Sequence, residues 1–250
     1  MKKGYINCNI WQNPATAFAT SDEYIIKVGT NQEIEELLCK EDAEIFDLKG
    51  MFVVPGFVDS HMHLAELGMY LSNVVLDDCH SNEEVIEKVK EKLATTKVGE
   101  WIIGRGYNEE SFLDHQKPTR QMLDEISTQV PIALTRACGH VLSANTAALK
   151  AAGITEHTKI EGGNVDYENG FVEENALNNI HNAYPQPDEE KIKEYIRIGA
   201  SYANQFGVTT VGSDDFLAVA HDYKPVLSAF ASLAYKQDMT VRVNEQCEFN

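Results

Sequence analysis

Two histidines, His61 and His63, stand two residues apart at the end of the run Val53-Val54-Pro55-Gly56-Phe57-Val58-Asp59-Ser60-His61-Met62-His63-Leu64. The apolar stretch breaks at Pro55-Gly56, restarts at Phe57-Val58, and delivers the pair where a strand would finish. Alternate side chains of a strand share a face, so both imidazoles point the same way at its C-terminal end. Two neutral imidazoles converging there can hold a divalent transition ion, which polarises a carbonyl and lowers the pKa of a bound water. The spacing predicts metal ligands at His61 and His63, and with them hydrolytic chemistry. Zinc is expected first, although iron, nickel and manganese suit imidazole to different degrees. Two surface histidines at a strand end are the alternative.

Composition bounds what such a site can serve. A chain of 250 residues can bury a large core as one or two domains. Its 21 basic and 39 acidic residues leave a formal charge of -18, a field that repels phosphate backbones and anionic membranes. A small-molecule substrate is therefore expected, and neither nucleic acid nor membrane. The start, Met1-Lys2-Lys3-Gly4-Tyr5-Ile6, lacks the apolar core of a secretory leader, and no stretch approaches a membrane span. Cys8, Cys39, Cys79, Cys138 and Cys247 are odd in number, widely spaced and without a Cys-x-x-Cys pair. They read as reduced thiols of a cytoplasmic protein.

The elements around the histidines fall into two parts. Residues 1–53 hold short strand-like runs and one helical patch, Asn31 to Cys39, and form a small β-rich unit too thin to close a core alone. Residues 54–250 alternate strands with helices. Five principal strands are expected, starting near 53, 101, 131, 208 and 240, and alternation of this kind implies a parallel sheet. Ser81-Asn82-Glu83-Glu84 reads as a capping box, Asp188 as the cap of a long helix ending before Gly207, and residues 143–152 as a further helix. Residues 160–174 interrupt the alternation with a hairpin around Asn169-Gly170. The expected fold is α/β, a partial (β/α)8 barrel of about five of its eight strands, and an open half-barrel leaves unpaired strand edges and an uncovered apolar face.

Pro55-Gly56-Phe57-Val58-Asp59-Ser60-His61-Met62-His63 resembles the amidohydrolase superfamily. Trp101 to Asn108, Arg136-Ala137-Cys138-Gly139-His140 with Asn145, Gly170 to Glu174, and Gly207 to Val211 ending in Asp214-Asp215 narrow the resemblance to its YtcJ-like branch. The resemblance implies a β-sandwich built from both ends of a longer chain and clasping a metal-containing barrel, with residues 1–53 as its N-terminal part. It implies that His61 and His63 are first-strand ligands. A bridging carboxylated lysine or acid, two later histidines and a final aspartate would complete a site of one or two ions. The later histidines and the aspartate have no match before Asn250. The chain alone is therefore expected to be inactive, and to self-associate or to pair with a missing C-terminal half.

Further candidates follow from place and type. His140 sits after a strand, where active sites of such barrels lie, and could contact substrate or an oxyanion, or simply bond backbone. Glu174 could contact substrate or metal, or be a solvated strand-end carboxylate. Asp214 and Asp215 could bind metal or a cationic substrate group, although acidic pairs often cap a helix. Tyr107 and Asn108 could line the pocket, or pack. Cys138 lies too close in sequence to His140 to suggest a nucleophile pair, and His80, His115, His157, His181 and His221 have no partner spacing. The expected reaction is hydrolysis of a non-peptide carbon–nitrogen bond in an amide, formamide or cyclic amide. The alternatives are an assembly module without catalysis, or an esterase or phosphoesterase using the same metal chemistry.

Overall fold

Short-range chemistry sets most elements, and packing sorts them into two compact units, Met1–Phe57 and Val58–Asn250. The computed structural model describes residues 1–40, 42–216, 219–220 and 222–246. His221 and Cys247 lie outside the described residues.

The first unit contains β1 (Lys2–Ile6), β2 (Asn9–Ile10), β3 (Ala17–Ser21), β4 (Tyr24–Gly29), α1 (Asn31–Leu38), β5 (Ala43–Asp47) and β6 (Phe52–Val53). Four of its strands form a sheet in the order β4-β3-β1-β5, and β2 pairs with β6. A full capping box, Thr30 with Glu33, starts α1. That helix sets Ile34 and Leu38 on Ala17 and Ala19. Tyr5 stacks between Phe18, at 4.7 Å, and Phe46, at 5.4 Å.

The second unit continues from β7 (Phe57–Met62) through α2 (Leu64–Ser72), β8 (Val74–Val75), α3 (Asn82–Leu93), β9 (Ile102–Tyr107), α4 (Arg120–Ile126) and β10 (Ile132–Arg136). Next come β11 (Val141–Ala144), α5 (Thr146–Ala151), β12 (Gly163–Asp166), β13 (Phe171–Glu174), α6 (Leu177–Ala183), α7 (Glu189–Gln205), β14 (Val208–Ser213), α8 (Tyr223–Tyr235) and β15 (Arg242–Glu245).

The five expected strands do not share one sheet. Those at 57–62, 208–213 and 242–245 make a three-stranded sheet, β15-β14-β7, while those at 102–107 and 132–136 belong to a six-stranded sheet, β12-β13-β11-β10-β9-β8. The second sheet is mixed: β8, β9 and β10 run parallel, and β11, β13 and β12 alternate in direction. The cause is the connection after β10. A parallel neighbour needs a long crossover, whereas four residues, Ala137 to His140, join β10 to β11 and force an antiparallel pair. Part of the stretch expected as a helix is therefore strand. Asn145, not Ser143, caps the helix that follows, accepting the Ala148 N–H at 2.9 Å.

Both faces of the six-stranded sheet are covered. Ile132 and Leu134 join Val85 and Val89 of α3 on one side, and Ala133 joins Leu149 of α5 and Ile180 of α6 on the other. This is why β10 reads as an unbroken apolar run. The three-stranded sheet packs instead on α2, α7 and α8, through Leu64, Ala65, Ile196, Ala200, Val211 and Phe230. On its edge strand, Val58 and His61 are exposed.

The expected hairpin is present, with a loop wider than a two-residue turn. Gly170, at φ +79, takes the left-handed conformation and Asn169 does not, so the turn is not the mirror-image type that Asn-Gly favours. The Gly170 N–H instead donates to the Asp166 carbonyl at 2.8 Å.

Candidate metal centre and imidazole–carboxylate pair

β7 ends at Met62, and His63 is the first residue out of the strand and the N-cap of α2. The two rings lie together, with centroids 5.6 Å apart at 73°. His61 is exposed and His63 half-buried. His63 Nδ1 contacts the carbonyl oxygen of Asp214. A carbonyl can only accept, so Nδ1 carries the proton and Nε2 keeps its lone pair. Metal-ligating histidines are typically oriented this way, through a bond from the other ring nitrogen to a carbonyl or carboxylate. The same bond is the main reason that the His63 pKa is raised above its ordinary value.

Three structural features hold this pair. First, β14 lies against β7: the Asp214 N–H donates to the Met62 carbonyl at 3.1 Å, and a Cβ on Gly212 would meet the Ser60 carbonyl oxygen. Second, α2 has no cap from His63 itself. Asp215 supplies one across the fold, its Oδ1 accepting the N–H groups of Ala65 at 2.9 Å and Glu66 at 3.1 Å. Ser213 Oγ accepts the Leu64 N–H at 2.8 Å and donates to Asp215 Oδ2 at 2.6 Å. Third, α2 crosses α7 with backbones in contact. A Cβ on Gly68 would overlap the Tyr195 carbonyl, and one on Gly199 the Leu64 carbonyl.

Asp215 is therefore not a substrate ligand. It is fully buried, and both its oxygens are bonded within the protein. Asp214 stays half-buried at the same strand end, and only its main chain is committed to His63. Tyr107 is also corrected: it is fully buried, and its hydroxyl pairs with Ser143 Oγ at 3.1 Å, so it packs the core. Asn108 organises a loop, its Oδ1 accepting the Glu110 N–H at 3.3 Å and Arg136 Nη2–H at 3.4 Å.

His140 and Glu174 come together although 34 residues separate them. Because β11 pairs with β13, the Glu174 N–H donates to the His140 carbonyl at 3.0 Å, and His140 Nδ1–H donates to Glu174 Oε2 at 3.1 Å. His140 is exposed, and its Nε2 has no partner among the described residues. Glu174 holds φ +53, a left-handed conformation unusual for a residue other than glycine. Such strain clusters where a side chain must be aimed. The neighbouring Cys138 thiol is pushed up by burial, yet its pKa is lowered overall because the Arg136 guanidinium and the His140 and Val141 N–H groups favour the thiolate. His140 gives Cys138 its main chain and turns its ring to Glu174.

Sequence reasoning missed Ser213, Glu245 and the two crossing glycines. Glu245 ends β15 in register with Ser213. Its Oε1 accepts the Asp215 N–H at 2.8 Å, and its Oε2 is buried with no hydrogen-bond partner among the described residues. Burial pushes this carboxyl up to about 7. Among the described residues no three His, Cys, Asp or Glu side chains converge as a metal cluster. The histidine pair fits two ligand positions of a metal centre by its donors and by the fixed tautomer of His63. A cleft of about 450 Å³, lined by Ser72, Asn73, Lys92 and Tyr195 among others, opens at the far end of α2, away from the pair.

The fold and the site define the class: an α/β protein with a histidine pair at the end of a strand, one ring oriented by a carbonyl. The chain belongs to the amidohydrolase family, whose model matches residues 44–249. It is 30% identical over 213 residues to the N-substituted formamide deformylase of Arthrobacter pascens, covering 79% of this chain and 39% of that one. It is 27% identical over 219 residues to the YtcJ amidohydrolase of Bacillus subtilis (strain 168), covering 85% and 41%. The crystal structure of an uncharacterized metal-dependent hydrolase from Pyrococcus furiosus superposes with a TM-score of 0.72 at 27% identity, over 98% of this chain and 50% of that one. The chain thus spans half or less of the length of these relatives. Among the described residues no helix is long and apolar enough to cross a membrane.

Proposed function

We propose that the protein is a divalent-metal hydrolase of non-peptide carbon–nitrogen bonds, with an amide, formamide or cyclic amide as substrate and zinc as the preferred ion. The observation that carries this reading is the His63 Nδ1–H bond to the Asp214 carbonyl beside His61, which leaves an imidazole lone pair ready at the end of a parallel strand. His61 and His63 would hold the ion. A divalent cation there supplies Lewis-acid polarisation of a carbonyl and an acidified water. Around it, Asp215 and Ser213 fix the start of α2, and Asp214 offers a carboxyl at the strand end to a cationic group of the substrate. His140 and Glu174 form a separate oriented imidazole, able to donate to or accept from a substrate polar group through Nε2. Family membership and the name of the formamide deformylase support the bond type.

The test is metal content by elemental analysis, together with hydrolysis of a panel of N-substituted formamides and cyclic amides, for wild type and His61→Ala/His63→Ala. Loss of both metal and turnover in the variant is expected. Equal metal occupancy in the two proteins would overturn the assignment.

A further inference from the structure

Arg105 carries an unanswered charge in a chain whose 39 acids far outnumber its 21 bases. Arg120 is held by the Glu168 carbonyl and the Tyr167 ring, Arg136 by Glu109 and Glu110, and Arg197 by Asp238. The Arg105 guanidinium has no ion pair or hydrogen bond among the described residues. Asp77, which lies against the adjacent Gly106, is taken by the Tyr70 hydroxyl instead.

Its place is equally specific. β9 lies between β8 and β10, with Arg105 opposite Val75 and Thr135, and Arg105 is the one exposed residue of that strand. It stands near the carboxyl end of a parallel strand, the end outside which α/β sheets bind their ligands. There the guanidinium meets the loop that joins β10 to β11: Arg105 Nη2 lies 3.8 Å from where a Cβ on Gly139 would stand. The next residue is His140, whose ring is held by Glu174 and whose Nε2 has no partner among the described residues. A free fork of N–H donors and an oriented imidazole therefore adjoin one glycine.

We infer that Arg105 binds the carboxylate of an anionic substrate beside Gly139 and His140, and so selects amides that carry an acid group over neutral ones. A guanidinium presents parallel N–H donors that match the two oxygens of a carboxylate. A formal charge of -18 repels small anions at long range, so an acid is held only where a local cation is free of acidic partners. Arg105 meets that condition. That the carboxylate belongs to the substrate rests on the hydrolase reading above, whereas its binding needs no ion.

The experiment is a titration of the isotope-labelled chain, in EDTA, with N-formylglycine and with the neutral N-formylglycinamide, read by NMR at the Gly139 amide and the His140 ring. Wild type should bind N-formylglycine saturably and N-formylglycinamide about 10-fold more weakly. Arg105→Gln should lose a similar factor for N-formylglycine. Arg105→Lys keeps the charge without the fork and should lose less. Arg242→Gln, at another exposed arginine, and His61→Ala/His63→Ala should bind as wild type, with thermal unfolding as the check on folding. No saturable shift at Gly139 or His140, equal affinity for the two ligands, or wild-type affinity in Arg105→Gln would overturn the inference. So would an equal loss in Arg242→Gln or in the histidine variant, since the carboxylate would then be held elsewhere or by diffuse charge. If Arg105→Gln does not fold, a weakened Arg105→Lys supports the inference and an unchanged one overturns it. Equal metal occupancy in wild type and the histidine variant, with carboxylate binding lost in Arg105→Gln, would overturn the metal reading and leave the carboxylate site standing.

Discussion

Asp215 accepts the N–H of Ala65 across 150 residues of chain, at 2.9 Å, and so caps the helix that begins directly after His63. The histidine strand β7 and the strand β14 are thereby joined at one buried carboxyl. Removing it with Asp215→Ala leaves the N–H groups of Ala65 and Glu66 and the Ser213 hydroxyl short of a partner. A loss of about 2–3 kcal/mol is expected, above the usual range for an exposed cap because the site is buried. Urea denaturation followed by circular dichroism measures it, and a loss below about 0.5 kcal/mol would mean that the cap is dispensable.

The α2–α7 crossing makes a second demand. Gly68→Ala drives a methyl into the Tyr195 carbonyl, and since backbone is the obstacle, the helices must separate. Overpacking of this kind costs about 1–3 kcal/mol, and the melting temperature should drop accordingly. Gly153→Ala is the control. Its Cβ would meet nothing within 4 Å, and only the left-handed backbone, φ +69, opposes it, at about 1 kcal/mol.

The hairpin loop carries a pH signature. The Asn169 side chain and N–H hold the Asp166 carboxyl below its ordinary value of 3.8. A depressed carboxyl contributes stability that is present above its unfolded pKa and is lost as pH falls through the folded one. Asp166→Ala should therefore be less stable than wild type at pH 7, by about 0.5–1 kcal/mol, and the gap should narrow below 3.8. Guanidinium midpoints at pH 7 and at pH 3 compare the two, and a gap that widens in acid would contradict this.

Local chemistry was legible in the residues, and neighbour relations were not. Thr119 and Asp188 cap α4 and α7 as their types suggest, at 3.4 and 2.8 Å, because a cap and the N–H that donates to it lie within one turn. The Ser81 box is only half formed, since Glu84 accepts from the His80 N–H, one residue earlier than expected. The histidine pair stood out because its spacing and the strand period coincide. That β14 rather than β8 lies beside β7 depends on packing between segments some 150 residues apart, which no local period encodes. Glu245 and Ser213 escaped notice for the same reason, and Tyr107 misled because a loop-adjacent tyrosine looks alike whether its ring is buried or open.

For the second imidazole, Glu174→Gln leaves an oxygen able to accept from His140 Nδ1–H but removes its negative charge, while His61 and His63 are untouched. If the pair serves catalysis as an oriented acid or base, kcat/KM should fall about 100-fold with metal content unchanged. Unaltered kinetics would return the pair to a structural role. Glu174→Gly, which relieves the left-handed strain, should at the same time raise or preserve thermal stability while impairing turnover.

The histidine pair is tested most directly by crystals grown with Zn²⁺ and diffraction recorded at the zinc absorption edge. An anomalous peak is expected bonded to an imidazole nitrogen of both His61 and His63, at about 2.0–2.1 Å, with His63 Nδ1 still donating to the Asp214 carbonyl. A peak elsewhere on the protein, with both rings free of it, would contradict the assignment.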